Sequence, residues 1–147
     1  MRVSCLVAAT AVLPGCAISY GDWIRYGPGR IGYSGSRIEY LEATPSPGTI
    51  LLRGASVRFT TRVRYTMQQA ENGRLAVWFT DGYGGPLPID GIAREITRAV
   101  MAEATLSFDV AVPDDASELV VHVGVLASGE RTASGDLQMT YRVRHAS

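Results

Sequence analysis

Two histidines, His122 and His145, are the first residues to consider for acid–base or nucleophilic chemistry. A hydrolytic triad needs a nucleophile, a base within hydrogen-bond reach and a third group that orients the base. His122 falls on the outward face of an expected strand, and His145 lies close to the last residue, where fraying is expected. The sequence also lacks a nucleophile-elbow motif. We therefore expect no catalytic residues and no enzyme activity.

The sequence offers no better candidates for metal ligands than for catalytic residues. Zinc sites combine Cys and His at short paired spacings, whereas Cys5 and Cys16 both precede the part of the chain that carries a strand pattern. Asp114 and Asp115 follow Pro113 in an expected turn, where Asp commonly hydrogen-bonds to its own backbone. The aspartate spacings do not match a calcium-binding loop. We expect neither a metal nor another cofactor.

The overall charge excludes a further class of partner. The 147 residues include 14 Lys+Arg and 14 Asp+Glu, so the formal net charge is +0. Nucleic-acid-binding domains normally carry a basic excess concentrated on one face, and no nucleic-acid partner is expected here. At 46% hydrophobic residues the chain is also too apolar for a disordered protein, and its length fits one domain.

Residues 1–17 have the composition of a signal peptide. Arg2 is followed by a mainly apolar run that ends at Leu13, and the small residues Gly15 and Ala17 come next. The apolar run is too short to span a bilayer as a stable helix. Cleavage after Ala17 would release a soluble periplasmic or secreted protein, which is one of two interpretations that we keep.

The other interpretation rests on residues 13–16, which read LPGC. This motif resembles the lipobox of bacterial lipoprotein signal peptides, in which the Cys receives the lipid. The resemblance implies lipidation at Cys16, which would then be the first residue of the mature chain and would anchor it in a membrane. Ala17, the next residue, implies an outer-membrane lipoprotein that faces the periplasm.

Residues 18–36 are rich in Gly and aromatic residues and show no hydrophobic period of either strand or helix. We expect an irregular tether between the membrane and the folded domain. Trp23, Tyr26 and Tyr33 suggest a second use, because a solvated spacer does not need large aromatic rings. They are the candidates for stacking on the sugar rings of a glycan.

Residues 37–147 are expected to form one β-domain. Apolar and polar residues alternate there, and the alternating segments are bounded by Pro, Gly, Asn and Asp, as in antiparallel β proteins. The expected strands are 37–42, 50–53, 56–67, 74–80, 104–112, 119–126 and 137–143. Asn72-Gly73 is a favoured pair for a tight turn, so it predicts a hairpin between 56–67 and 74–80.

The segment 92–101 fits two structures. Ile92, Ile96 and Val100 recur at the spacing of one helix face, but the same positions also lie on one face of a strand. We favour a strand, because strands surround the segment, and keep a short helix as the alternative.

Over residues 37–144 this pattern resembles the broad class of immunoglobulin and fibronectin-III domains. The resemblance implies an all-β fold, a two-sheet antiparallel sandwich of about seven or eight strands. Trp78 is the candidate for the buried Trp that immunoglobulin domains carry in their third main strand. An up-and-down barrel is the alternative architecture.

One stretch of the expected sheet is apolar on both faces. A half-solvated antiparallel sheet normally alternates apolar and polar residues, so either the segment 92–101 covers this stretch or it binds a partner. The candidate partner surface consists of Val77, Phe79, Val120, His122 and Leu126. Arg58, Arg62 and Arg64 form a separate outward stripe, for which we favour cross-strand ion pairs with Glu39, Glu103 and Asp109.

Together these features favour a non-catalytic exported envelope lipoprotein that acts as a binding or interaction module, with another envelope protein as its partner. The alternatives are a glycan-binding module for peptidoglycan or lipopolysaccharide and a structural spacer domain, either of them soluble in the periplasm.

Overall fold

The computed structural model describes residues 24–26 and 36–147. These residues form strands and loops without a helix. The seven strands are β1 (Ile24–Tyr26), β2 (Arg37–Thr44), β3 (Ile50–Leu52), β4 (Ser56–Thr80), β5 (Ile92–Ala111), β6 (Glu118–Ala127) and β7 (Ser134–Arg144). The predicted signal peptide and the lipobox-like residues 13–16 lie outside the described residues.

The strands hydrogen-bond into one mixed sheet. Its order is β1-β7-β6-β4-β2, while β5 pairs with β4 and β3 pairs with β7. The β3–β7 pair is parallel and the other pairs are antiparallel. The fold is therefore all-β as expected, but the expectation of a purely antiparallel arrangement is wrong.

The expected hairpin at Asn72-Gly73 does not form. The chain does not turn there, because β4 continues through both residues to Thr80. Instead the register with β5 shifts between Met67 and Asn72. A Cβ at position 73 would lie 2.5 Å from Met67 Sδ and 2.8 Å from the carbonyl oxygen of Leu126, so Gly73 permits a close approach of β6 rather than a turn.

The ambiguous segment 92–101 is a strand, as favoured, and it is continuous with 104–112 as β5. It pairs with the edge of β4 and does not cover its face. The expectation that it shields the two-sided apolar stretch is therefore wrong. The reversal of the chain occurs instead in the loop 81–91, which follows β4.

The sheet curls so that strands that are not hydrogen-bonded neighbours meet in its interior. Phe59 on β4 stacks on Phe108 of β5, with ring centroids 5.5 Å apart, and makes an edge contact at 5.1 Å with Tyr141 on β7. Phe79, in the second half of β4, meets the same Phe108 at 5.8 Å. Each such buried aromatic ring contributes about 1.5–3 kcal/mol of transfer free energy.

Tyr141 also closes one end of the core. It is buried, and its hydroxyl donates a 2.8 Å hydrogen bond to the carbonyl oxygen of Pro45, in the loop after β2. Burial, with a smaller contribution from the charge of Tyr40, raises the pKa of the Tyr141 hydroxyl well above its ordinary value of 10.0.

The segment 18–36, expected to be an irregular tether, contains a short strand. β1 pairs with the edge of β7, Ile24 opposite Met139 and Tyr26 opposite Leu137. The sheet therefore begins before residue 37. Sequence periodicity missed it because three residues are too few to show an alternation.

Candidate functional site

The arginine stripe on the first half of β4 is fully engaged in ion pairs, as expected. Arg58 binds Asp109 at 3.0 Å on the neighbouring β5. The other two arginines bridge β2 and β5: Arg62 binds Glu42 and Glu103, and Arg64 binds Glu39 and Glu103. The hydrogen bonds that Arg62 donates to Glu42 and Glu103 raise the pKa of its guanidinium. These charges are satisfied within the sheet, which leaves little attraction for an anionic ligand.

The predicted partner surface is split between the two faces of the sheet. Val77 and Phe79 lie in the core, 2% and 4% exposed. Val120 and His122 lie on the opposite face and are also buried, at 8% each, while Leu126 is half-buried. These five residues therefore do not form one exposed surface. The interpretation failed because the register partners of Val77 and Phe79 are Val123 and Val121, so Val120 and His122 face the opposite side of the sheet.

His122 is the centre of a packed polar cluster on the outer face. Its ring stacks on Trp78 at 5.0 Å and 10°, and its Nε2 is 2.7 Å from Thr80 Oγ1. Its Nδ1 lies 3.5 Å from Asp136 Oδ2, which accepts a 3.1 Å hydrogen bond from Gln138 Nε2. The cluster links β4, β6 and β7 through side chains.

Gly124 makes room for this cluster. A Cβ at position 124 would come within 3.1 Å of the Trp78 ring and 2.7 Å of the Ala133 methyl group. Trp78 is therefore half-buried on the outer face, and the expectation that it is a core Trp of the immunoglobulin type is wrong.

The order of groups at His122, a hydroxyl, an imidazole and a carboxylate, is the order found in nucleophilic catalysis. The geometry does not serve that chemistry, because the 3.5 Å separation of Nδ1 and Oδ2 exceeds an N–H···O hydrogen bond. The imidazole is stacked on Trp78 and His122 is 8% exposed.

His145, the other histidine, is occupied at the end of β7. Its Nε2 lies 2.8 Å from Arg53 Nη1. Within residues 24–26 and 36–147, no three side chains of His, Cys, Asp or Glu come together in a metal-binding arrangement. None of these residues belongs to a helix long and apolar enough to cross a membrane.

An exposed face that the sequence did not single out lies where β3 runs beside β7. Ile50 and Leu52 are 46% and 47% exposed, and their register partners on β7 are Arg142 and Arg144, also exposed. Register partners in neighbouring strands project to the same side. We call these four residues the basal patch, and the end of the sheet at which β7 finishes the basal end.

The opposite end of the sheet, which we call the bend end, carries the other exposed apolar pair of strand residues. Val100 and Met101 are 65% and 58% exposed. Met101 has a positive φ of 59°, and the register of β5 with β4 shifts at the same place. The exposed pair at this end coincides with an irregular backbone.

A cleft of about 290 Å³ lies between the two halves of β5, with Tyr65 and Ile96 among its lining residues. Two of its charged groups, Arg94 and Glu103, have partners: Arg94 donates a 2.6 Å hydrogen bond to the carbonyl oxygen of Thr105, and Glu103 binds two arginines of β4. We do not assign it a ligand.

The basal end is also the end from which the chain enters the sheet. β1 is antiparallel to β7, and its first residue, Ile24, pairs with Met139. Its N-terminal end therefore points along β7 toward Arg144. The predicted lipidation site Cys16 and the glycan-stacking candidates Trp23 and Tyr33 lie outside the described residues, and of Tyr26 only the strand position is described.

No protein-family model matches the chain, and no curated protein matches it. The apo form of the Calx CBD1 domain is similar at a TM-score of 0.39 and 12% identity, over 76% of this chain and 98% of that chain. A beta-glucosidase from Listeria innocua in complex with glucose is similar at 0.44 and 12%, over 78% of this chain but 17% of the glucosidase. At these TM-scores the similarities carry no functional argument.

Proposed function

We propose that the chain is a non-catalytic lipoprotein of a bacterial envelope, tethered through Cys16, and that its β-domain acts as a binding module. The observation that carries the proposal is the direction of β1, whose N-terminal end points to the basal end and thus to the exposed Ile50 and Leu52. In this arrangement a tether and an exposed apolar face share one end of the domain. An outer-membrane location facing the periplasm is part of the proposal.

The non-catalytic part of the proposal is supported by the two histidines. His122 is buried under Trp78, and His145 is paired with Arg53. A general base must reach the proton that it removes from a substrate, and both rings already have partners within the domain.

The tether is tested by the intact mass of the protein purified from a bacterial host, together with its partition between detergent and aqueous phases. We expect an acylated chain that begins at Cys16 and enters the detergent phase. The matched variant Cys16→Ser should lose the acyl mass and move to the aqueous phase. An unacylated wild-type chain that starts at Ile18 would overturn the lipoprotein proposal and favour a soluble exported domain.

A glycan-binding role is the second candidate, favoured by Tyr83. This ring is 95% exposed, and the backbone that carries it is held by Asp81, whose Oδ1 accepts 2.8 Å hydrogen bonds from the amides of Tyr83 and Gly85. A rigidly presented aromatic ring is a suitable platform for a sugar ring. Trp23, Tyr26 and Tyr33 remain further candidates from the sequence.

Sedimentation with purified peptidoglycan separates this role from the first. If Tyr83 stacks on sugar, Tyr83→Ala should reduce the bound fraction, whereas Met101→Ala, which removes an exposed side chain at the bend end, should leave it unchanged. Equal binding of wild type and Tyr83→Ala would remove Tyr83 from the site.

As the finer description of the fold, we propose a two-sheet sandwich of immunoglobulin type. The support is the meeting of Phe59 with Tyr141, because β4 and β7 are not hydrogen-bonded neighbours and their rings are in edge contact at 5.1 Å. On this description the two halves of β4 and β5 belong to different layers. An experimental structure in which these rings share one layer would contradict it.

A further inference from the structure

The basal patch combines the two kinds of side chain that meet a membrane surface. Ile50 and Leu52 project outward from β3, and Arg142 and Arg144 stand beside them on β7. The free energy falls when aliphatic side chains enter the boundary between headgroups and acyl chains. Arginine stems cover apolar surface while their guanidinium groups remain with the headgroups.

The backbone of the basal patch is fixed by hydrogen bonds. The amide of Arg53 donates to the carbonyl oxygen of Arg144 at 2.9 Å, and the amide of Gly48 donates to that of Thr140 at 2.8 Å. β3 is therefore joined to β7 just before and just after its three residues. The patch is presented on an ordered edge, so little conformational entropy is lost when it binds.

The charge of the patch favours an anionic surface. Its face carries Arg142 and Arg144, and Glu118 on β6 is the register partner of Arg142. Arg144 makes no salt bridge to any residue that the structure describes. Asp114 lies on the adjoining loop, beside Gly54. Guanidinium groups bind phosphate in a bidentate manner.

The length of the tether brings this face to the bilayer. Cys16 precedes Ile24 by eight residues, which span at most about 28 Å when fully extended. The step along β7 from Met139, the partner of Ile24, to Arg144 covers about 17 Å. A lipid at Cys16 therefore lies no more than about 10 Å beyond the basal end along the strand direction.

We propose that the basal patch docks onto the surface of an anionic phospholipid bilayer, the one that holds the lipid of Cys16. This inference rests on the proposed tether. The tether raises the effective concentration of the bilayer at the patch, so a contact that is weak in isolation is sufficient. Val100 and Met101, at the bend end, lie outside this docking face.

The test uses single-cysteine labels on the full chain. Acylation would consume the thiol of Cys16, and Cys5 precedes the mature start, so an introduced cysteine is a unique site. Leu52→Cys and Met101→Cys carry the same fluorophore at matched positions, 47% and 58% exposed. Each protein is reconstituted into vesicles of phosphatidylethanolamine with a minority of phosphatidylglycerol, and a spin-labelled lipid acts as quencher.

We expect quenching at position 52 to exceed that at position 101 by about threefold or more, because only the former side chain enters the interface. In the Arg142→Gln/Arg144→Gln background, or in phosphatidylcholine vesicles, the difference should fall by at least about half. Arg131 is an exposed arginine in the turn between β6 and β7. Arg131→Gln is therefore the matched charge control and should preserve the difference in quenching between positions 52 and 101.

Equal quenching at positions 52 and 101 would overturn the docking proposal. So would a difference in quenching that changes neither with Arg142 and Arg144 nor with the lipid charge. The intact mass of the same preparation separates the two proposals. If Cys16 is acylated but quenching is equal, only the docking fails. If Cys16 is not acylated, the tether itself fails.

Discussion

The two ends of the sheet each expose an apolar pair, but the backbones beneath the pairs differ. At the basal end Ile50 and Leu52 lie on a strand that backbone hydrogen bonds join to β7. At the bend end Val100 and Met101 lie where the register of β4 and β5 shifts and where Met101 adopts a positive φ. Similar exposure therefore has two different origins.

The difference shows which exposed apolar side chains indicate a binding face. At the bend end a long strand must change direction, and the residues at the outside of such a bend are exposed whatever their type. At the basal end Leu51 is 4% exposed and packs into the core, so strand alternation directs Ile50 and Leu52 outward but does not require them to be apolar. An apolar pair displayed by a regular strand is the better indicator of a binding face.

The largest expected effect is the loss of stability when Tyr141, near the basal end, is replaced. Tyr141→Ala should lower the free energy of unfolding by about 3–5 kcal/mol, because it removes a buried ring that contacts Phe59. Tyr141→Phe keeps the ring and loses only the hydrogen bond to Pro45, so it should cost about 1 kcal/mol. Denaturant unfolding of both variants provides the measurement. Similar losses for the two would show that the ring contact is unimportant.

The second effect is a dependence of stability on alkaline pH. Burial raises the pKa of the Tyr141 hydroxyl above its ordinary value of 10.0, so the native state keeps the proton that the unfolded state releases. The contribution of the protonated Tyr141 hydroxyl to stability is fully present below pH 10. Above that pH the free energy of unfolding should fall by up to about 1.4 kcal/mol per pH unit.

The alkaline loss should be smaller in Tyr141→Phe than in the wild type, when unfolding is measured across the alkaline range. Tyr83→Phe, which changes an exposed ring, is the matched control and should follow the wild type. An unchanged slope in Tyr141→Phe would assign the alkaline loss to other groups.

The smallest effect concerns the bend end. Met101→Gly should raise the free energy of unfolding by about 0.5 kcal/mol, because relief of the positive φ outweighs the entropy that glycine loses on folding. Val100→Gly has no such relief and should lower it by about 1 kcal/mol. Chemical denaturation of the pair is the measurement, and equal destabilisation of both would show that the bend is not strained.

Strand alternation predicted most of the sheet. The segments 56–67, 119–126 and 137–143 are strands, and so is 104–111 of the segment 104–112. All but 119–126, which is buried on both faces, alternate between core residues and more exposed ones. The arginine stripe was also predicted with three of its partners, Glu39, Glu103 and Asp109, from the alternation together with an immunoglobulin-like strand order, whereas the pair of Arg62 with Glu42 was missed.

What failed depends on packing between distant residues. Gly73 has the chemistry of a turn, yet the approach of Leu126 and Met67 requires a glycine inside a strand. His122 was expected on the outside of its strand, and its burial under Trp78 depends on the missing side chain at Gly124. The parallel pairing of β3 with β7, which creates the basal patch, leaves no periodic signature in three residues.

Amide hydrogen exchange of the wild-type chain, compared between anionic vesicles and detergent, tests the proposed contact of the basal patch with a bilayer. We expect vesicles to slow exchange in segments 49–53 and 141–145 and to leave 98–102 unchanged. Slower exchange at 98–102, with no change in the two basal segments, would contradict it.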